Sequence, residues 1–167
     1  MKNVVILGSA GSIGGSALRV AESLPSCLRV TGLAVNRNCG MVLRQAERFG
    51  VKHVAVADPV MARRCAAAAP AGLAVHEGPR GIEELAELEG TDIVLCAVVG
   101  MSGLGPVMKA VRRGTDVALA TKEVLVAAGE LVTRACARSG ARLLPVDSEH
   151  SAVFQCLEGS HFMPRLS

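Results

Sequence analysis

Aromatic side chains are nearly missing from this sequence: three Phe, no Trp and no Tyr in 167 residues. Half of the residues are nevertheless apolar. Ala, Val and Leu must therefore fill the core, and there are enough of them for one domain, or one domain and the start of another. The same scarcity excludes the stacking platforms of single-stranded nucleic-acid binders, and basic stripes are missing too, because Arg and Lys are interspersed with Glu. A net charge of +3 suits a small anionic ligand better than a polyanion. No apolar run reaches the length of a membrane span. The chain enters an apolar strand at once, without the regions of a signal peptide. The six cysteines, at positions 27, 39, 65, 96, 136 and 156, form no C-x-x-C pair. Most lie inside apolar patterns, so they are expected to be reduced core thiols of a cytoplasmic protein, not a disulfide framework.

What is present starts at the first residues. Val4-Val5-Ile6-Leu7 is wholly apolar and rich in β-branched side chains, as a strand buried on both faces requires. It runs into Gly8-Ser9-Ala10-Gly11-Ser12-Ile13-Gly14-Gly15, after which Ala17, Leu18, Ala21 and Leu24 recur at helical spacing. Strand, glycine turn and helix form the entry to a dinucleotide-binding fold. Glycine allows a tight turn and close approach of a pyrophosphate, and the first N–H groups of the helix, unpaired within it, donate to the phosphate oxygens. The spacing is G-x-x-G-x-x-G, one residue looser than the common G-x-G-x-x-G, and a plain strand-to-helix turn with no ligand has the same pattern.

Leu28 to Val35 is expected to be a second strand, whose end lies beside the adenosine ribose in such folds. No acid stands there to take the 2′-hydroxyl of NAD. The residues are Asn36-Arg37-Asn38, and the donors of Arg37 suit a 2′-phosphate, which favours NADP; a solvated loop arginine is the alternative. Further on, helices are expected over Met41 to Phe49 and Ala62 to Ala69, with a strand at Val54-Ala55-Val56 closed by Asp58-Pro59. Leu73-Ala74-Val75 reads as a minor strand and the Glu-rich stretch 82–89 as an exposed helix with a solvated acidic face. Asp92 to Val99 is the next central strand, followed by a small-residue turn, Gly100-Met101-Ser102-Gly103, that lies beside the nicotinamide ribose or is a plain loop. A helix over Gly103 to Arg113, a strand at Val117 to Ala120, a helix over Lys122 to Arg138, a strand at Arg142 to Val146 and a helical pattern from Ser151 to Leu157 complete the chain. This alternation predicts an α/β, Rossmann-like, doubly wound and mostly parallel sheet with helices on both faces.

Two charged clusters follow directly on buried strands, where ligands of such sheets bind. In Thr121-Lys122-Glu123 the lysine is placed to hold an anionic or polarised oxygen, unless it is simply a solvated lysine of a first helical turn. In Pro145-Val146-Asp147-Ser148-Glu149-His150, the two carboxylates at i and i+2 point to one side of an extended segment. Without a cysteine partner they prefer a hard divalent cation, Mg²⁺ or Mn²⁺, and a third ligand or substrate oxygens must finish the site. The D-x-E spacing is also common at helix starts. His150 either orients a carboxylate or caps the next helix.

Taken in order, I-L-G-S-x-G-S-I-G (6–14), A-L-A-x-K-E (118–123) and L-P-V-D-S-E-H (144–150) resemble the 1-deoxy-D-xylulose 5-phosphate reductoisomerase family. The resemblance covers the family's N-terminal NADPH-binding domain and the opening of its catalytic domain, roughly residues 1–158, as the sheet order would place them. It implies an enzyme, an NADPH-dependent oxidoreductase and isomerase that also needs Mg²⁺ or Mn²⁺. Such an enzyme turns 1-deoxy-D-xylulose 5-phosphate into 2-C-methyl-D-erythritol 4-phosphate in non-mevalonate isoprenoid biosynthesis. It implies that Gly8, Ala10, Gly11, Ser12, Ile13, Asn36, Arg37, Asn38, Thr121 and Glu123 bind NADPH. Lys122 and Ser148 would hold the sugar-phosphate substrate, and Asp147 and Glu149 the metal. The resemblance also implies that the full-length protein is a homodimer, and the composition read above predicts no nucleic-acid or membrane partner. Ala10 stands where threonine is usual, Asn36 where glycine is common and Thr121 where asparagine is expected, each altering a cofactor hydrogen bond. Met101-Ser102 replaces a smaller pair. Residues 159–167 match nothing in the family pattern, so the division expected is an NADPH-binding domain over 1–146 and a truncated start of a catalytic domain over 147–167, able to bind NADPH without turnover. The alternatives are another NADP-dependent dehydrogenase of related fold or a non-catalytic NADPH-binding module.

Overall fold

The computed structural model describes residues 1–146. Among these residues seven strands, β1 (Lys2–Leu7), β2 (Leu28–Val35), β3 (His53–Val56), β4 (Ala74–Glu77), β5 (Ile93–Cys96), β6 (Asp116–Leu119) and β7 (Leu143–Pro145), alternate with six α-helices. These are α1 (Ser12–Ser23), α2 (Cys39–Phe49), α3 (Pro59–Ala68), α4 (Gly78–Ala86), α5 (Leu104–Arg112) and α6 (Lys122–Ser139). The strands form one sheet in the order β4-β3-β2-β1-β5-β6-β7, and every pairing is parallel. Parallel neighbours need crossovers, and crossovers put helices on the faces, so the strands must be apolar on both sides. The alternation along β1 shows it. Val5 and Leu7 join one core, with residues of α4, α5 and α6, while Ile6 joins the other, with residues of α1, α2 and α3. The doubly wound sheet expected from the sequence is the one observed. No helix among the described residues is long and apolar enough to cross a membrane.

The chain builds outward from β1 to β4 and then returns through α4 to lay β5 against the free side of β1. This reversal creates the crevice between the carboxyl ends of β1 and β5, the place where open α/β sheets bind ligands.

Several element limits differ from the sequence expectation, each for a local reason. The strand expected over Asp92 to Val99 stops at Cys96. Its last ladder bonds are Ala97 N–H to the Leu7 carbonyl and Ala120 N–H to the Cys96 carbonyl, and past them β1 and β6 have ended. Val98 and Val99 leave the sheet, and Val99 is 89% exposed. The helix expected from Ala62 starts at Pro59, because Asp58 caps it by accepting from Met61 N–H and proline occupies its first turn. The stretch expected as an exposed helix over 82–89 is α4, shifted to Gly78–Ala86, and it buries Ile82, Leu85 and Ala86. α6 runs the expected course with a kink at Ala128. The described cysteines are free thiols; Cys65 and Cys96 are buried, and burial pushes each to a pKa of about 11, whereas Cys27 is exposed. The helical pattern from Ser151 to Leu157 lies outside the described residues.

Candidate functional site

The bend between β1 and α1 is dictated by two glycines. Gly8 has φ +90°, and a Cβ there would lie 2.5 Å from the Ala97 carbonyl oxygen of the neighbouring strand's extension. At Gly14 a Cβ would lie 2.3 Å from the Gly8 carbonyl oxygen, so glycine is what lets α1 pack against its own turn. Gly11 differs. A Cβ there would only reach ordinary contact, 3.4 Å from the Gly8 oxygen, and the residue is exposed. The protein's own packing does not demand glycine at position 11, whereas close approach of a ligand would.

Gly11 is the N-cap of α1, and no side chain caps the helix. Its first turn carries no acid, and the N–H groups of Ser12 and Ile13 lie where a helix offers no internal partner. α2 and α3, by contrast, are closed by the side chains of Asn38 and Asp58. The turn is held from behind by Ser9. Its buried hydroxyl donates to Gln45 Oε1 at 2.7 Å, and Gln45 Nε2 returns a bond to the Ser9 carbonyl at 3.1 Å.

Gly8, Ala10, Gly11 and Asn36 line one cleft of about 720 Å³, closed on its other side by Ile82, Glu83, Val98, Met101 and Ser102. The cleft lies on the crevice that the strand order predicts. Its bare helix terminus, small residues and apolar walls fit a dinucleotide: phosphate at the amides, bases against the walls.

Just beyond β2, the exposed Arg37 is not a free loop arginine. Its Nε donates to Asp58 Oδ2 at 2.8 Å, and Nη2 reaches the same oxygen at 2.8 Å. Bonds from Met61 N–H and then from Arg37 hold the Asp58 carboxyl below the usual carboxylate range. The pair holds the exposed guanidinium next to Asn36 in sequence but outside the residues that line the cleft, with Nη1 unbonded among the described residues. Asn38 is spent on the start of α2, its Oδ1 accepting from Met41 N–H at 3.1 Å.

Thr121, Lys122 and Glu123 stand at the start of α6, two strands from the glycine bend. The Thr121 side chain turns inward, and its hydroxyl donates to the Val98 carbonyl at 2.6 Å. That hydrogen is therefore engaged in tying α6 to the wall of the cleft. Lys122 and Glu123 are exposed and form no side-chain bond among the described residues. Asp147, Ser148, Glu149 and His150 lie outside the described residues, among which no group of three or more metal-ligating side chains occurs.

Sequence spacing does not reveal Gln45, Asp58 or Glu83 as parts of this site. Gln45 and Asp58 reach it from 36 and 21 residues away. Only the Asp-Pro cap signal at Asp58 is visible locally.

A sequence model of 1-deoxy-D-xylulose 5-phosphate reductoisomerase matches residues 4–129. The protein of that name from Oleidesulfovibrio alaskensis is 48% identical over 160 residues, covering 95% of this chain and 39% of that protein. The Zymomonas mobilis 1-deoxy-D-xylulose 5-phosphate reductoisomerase, solved in complex with NADPH, is similar with a TM-score of 0.85 and 36% identity, over 98% of this chain and 42% of that one. A DOX-P reductoisomerase solved in complex with magnesium gives a TM-score of 0.88 at 32% identity, over 93% of this chain and 40% of that one. The chain thus spans 39 to 42% of the length of these relatives.

Proposed function

The chain belongs to the 1-deoxy-D-xylulose 5-phosphate reductoisomerase family, and on that premise we propose that it holds NADPH at the glycine bend. The activity proposed for the whole protein is the divalent-metal-dependent conversion of 1-deoxy-D-xylulose 5-phosphate into 2-C-methyl-D-erythritol 4-phosphate. One observation carries the nucleotide reading: the uncapped, acid-free start of α1 opens on the cleft at the strand-order reversal. The amides of Ser12 and Ile13, unpaired at the start of α1, receive the pyrophosphate, with Gly8, Ala10 and Gly11 lining its path and no side chain at Gly11 in the way. Asn36 and Arg37 receive the 2′-phosphate, Arg37 pre-positioned by Asp58. Asn38 holds the start of α2 in place beside them. Thr121 and Glu123 border the nicotinamide end, Thr121 by fixing the Val98 wall. Lys122 and Ser148 hold the sugar phosphate, and Asp147 and Glu149 the metal. When bound, NADPH supplies hydride and the divalent ion supplies Lewis acidity. The buried thiols of Cys65 and Cys96 support work in a reducing compartment, the cytoplasm.

Titration of the chain with NADPH and with NADH tests this reading. The protein has no Trp or Tyr, so nicotinamide fluorescence is read against a dark background. NADPH is expected to bind roughly tenfold more tightly or better, as a charge-assisted bond to the 2′-phosphate implies. Arg37→Ala should narrow the gap. Failure of the chain to bind either nucleotide would overturn the proposal.

A further inference from the structure

Glu83 is the single charged side chain lining the cleft among the described residues. It projects from α4, is half-buried, and forms no hydrogen bond or ion pair among the described residues. Its acidic neighbours are engaged elsewhere: Glu84 of α4 pairs with His76, and Glu87, just past the helix, pairs with Lys109 of α5. The carboxylate has room because position 105 is glycine, where a Cβ would lie 2.3 Å from Glu83 Oε1. The carboxylate thus stands in the cleft wall with no partner of its own among the described residues and can accept hydrogen bonds from a bound ligand.

Which part of a dinucleotide it would meet follows from the fold. The adenosine ribose falls at the end of β2, beside Asn36. The base attached to that ribose needs an apolar slot on the same side. Ala57, just past β3, with Pro79 and Ile82 of α4, provides one. Thr121, at the nicotinamide end, lies across the sheet on the far side of β5. Glu83, on the same helix as Pro79 and Ile82, lines the wall of that slot, with its Oε1 beside Gly105 at the start of α5. A carboxylate is purely an acceptor, and the adenine edge offers an exocyclic amine with two donor hydrogens.

Resting on the NADPH reading above, we propose that Glu83 is a specificity-determining residue that accepts a hydrogen bond from the adenine 6-amino group. It thereby rejects purines with a carbonyl oxygen at that position. The acidic face of α4 is thus not uniformly solvated, as the sequence suggests, but turns one acid into the cleft.

The test compares NADPH with its hypoxanthine analogue, in which an oxygen replaces the 6-amino group, by nicotinamide fluorescence on the wild-type chain and on Glu83→Gln and Glu83→Ala. The wild type is expected to favour NADPH by about tenfold, the value of one bond to a charged acceptor. Both variants should lose most of that preference. Glutamine can present either a donor or an acceptor and alanine neither. Retained thermal unfolding midpoints show that the variants are folded. A wild type that binds both nucleotides equally, or a Glu83→Gln chain that keeps the wild-type preference, overturns the role of Glu83 and leaves the NADPH site standing. A wild type that binds neither overturns both.

Discussion

Ser9 and Gln45 exchange two hydrogen bonds across 36 residues of sequence, the serine hydroxyl donating to the glutamine oxygen and the glutamine amide donating back to the serine carbonyl. The pair pins the glycine bend to α2 from the side opposite the cleft, so the bend owes its shape to a second helix as well as to its glycines. Gln45→Leu removes both bonds and leaves a buried hydroxyl unpaired. It should cost about 1–3 kcal/mol of stability, read as a lowered urea midpoint at unchanged slope. Affinity for NADPH should fall as well. An unchanged midpoint would show that the exchange contributes nothing to the folded state.

The two glycines flanking the start of α1 should respond in opposite ways. Gly14→Ala drives a methyl group against the Gly8 backbone, which cannot yield without moving the strand end. It should destabilise the fold by about 1–3 kcal/mol, the usual cost of overpacking. Gly11→Ala meets only ordinary contacts and should leave stability within about 1 kcal/mol, as an N-cap change of this kind does. NADPH binding should nevertheless be lost, because the new methyl group occupies the space a pyrophosphate needs. Thermal melts together with nucleotide titrations separate the two. A Gly11→Ala chain with wild-type affinity would argue that no phosphate approaches that atom.

Acid should destabilise the protein in two windows. Burial, followed by the charges of His76 and Lys52, lowers the pKa of His53 below its ordinary value of 6.5. Hydrogen bonds lower Asp58, Asp92 and Asp116 below 3.8, chiefly from Met61 N–H, Asn3 N–H and the Arg142 side chain respectively. In every case the folded form takes up a proton less readily than the unfolded chain, so stability is complete above the unfolded value and falls as acid is added. The first loss begins below the ordinary histidine value and belongs to His53, whose ring lies 3.5 Å from His76. The second begins below the ordinary aspartate value. Urea midpoints followed from neutral to acid pH check the pattern, and His53→Gln should erase the first step alone. A midpoint that rises on mild acidification would contradict the sign.

Much of the architecture is legible in the residue pattern, since β-branched runs buried on both faces and helices between them leave few arrangements open. The glycine bend is legible for the same reason: φ near +90° at Gly8 and the close approach at Gly14 require what the sequence shows there. Limits of elements are less so. Val98 and Val99 are as apolar as the strand before them, and only the ending of β1 and β6 decides that they leave the sheet. Asp58-Pro59 reads as the close of a strand and is also the cap of α3. The side chains that furnish the cleft from afar are not legible at all. Nothing within a few positions of Glu83 or Gln45 distinguishes them from solvated helix residues. Arg37 stands where the sequence puts it, but its ion pair with Asp58 depends on two strands ending side by side.

Amide chemical-shift mapping of the ¹⁵N-labelled chain during addition of NADPH tests the central claim most directly. The largest shifts are predicted at Gly8, Ala10, Gly11, Ser12 and Ile13, with a second group at Asn36 and Arg37. Largest shifts instead around Gly50, Val51 and Leu73, which line the cleft of about 650 Å³ between α2 and the start of β4, would contradict it.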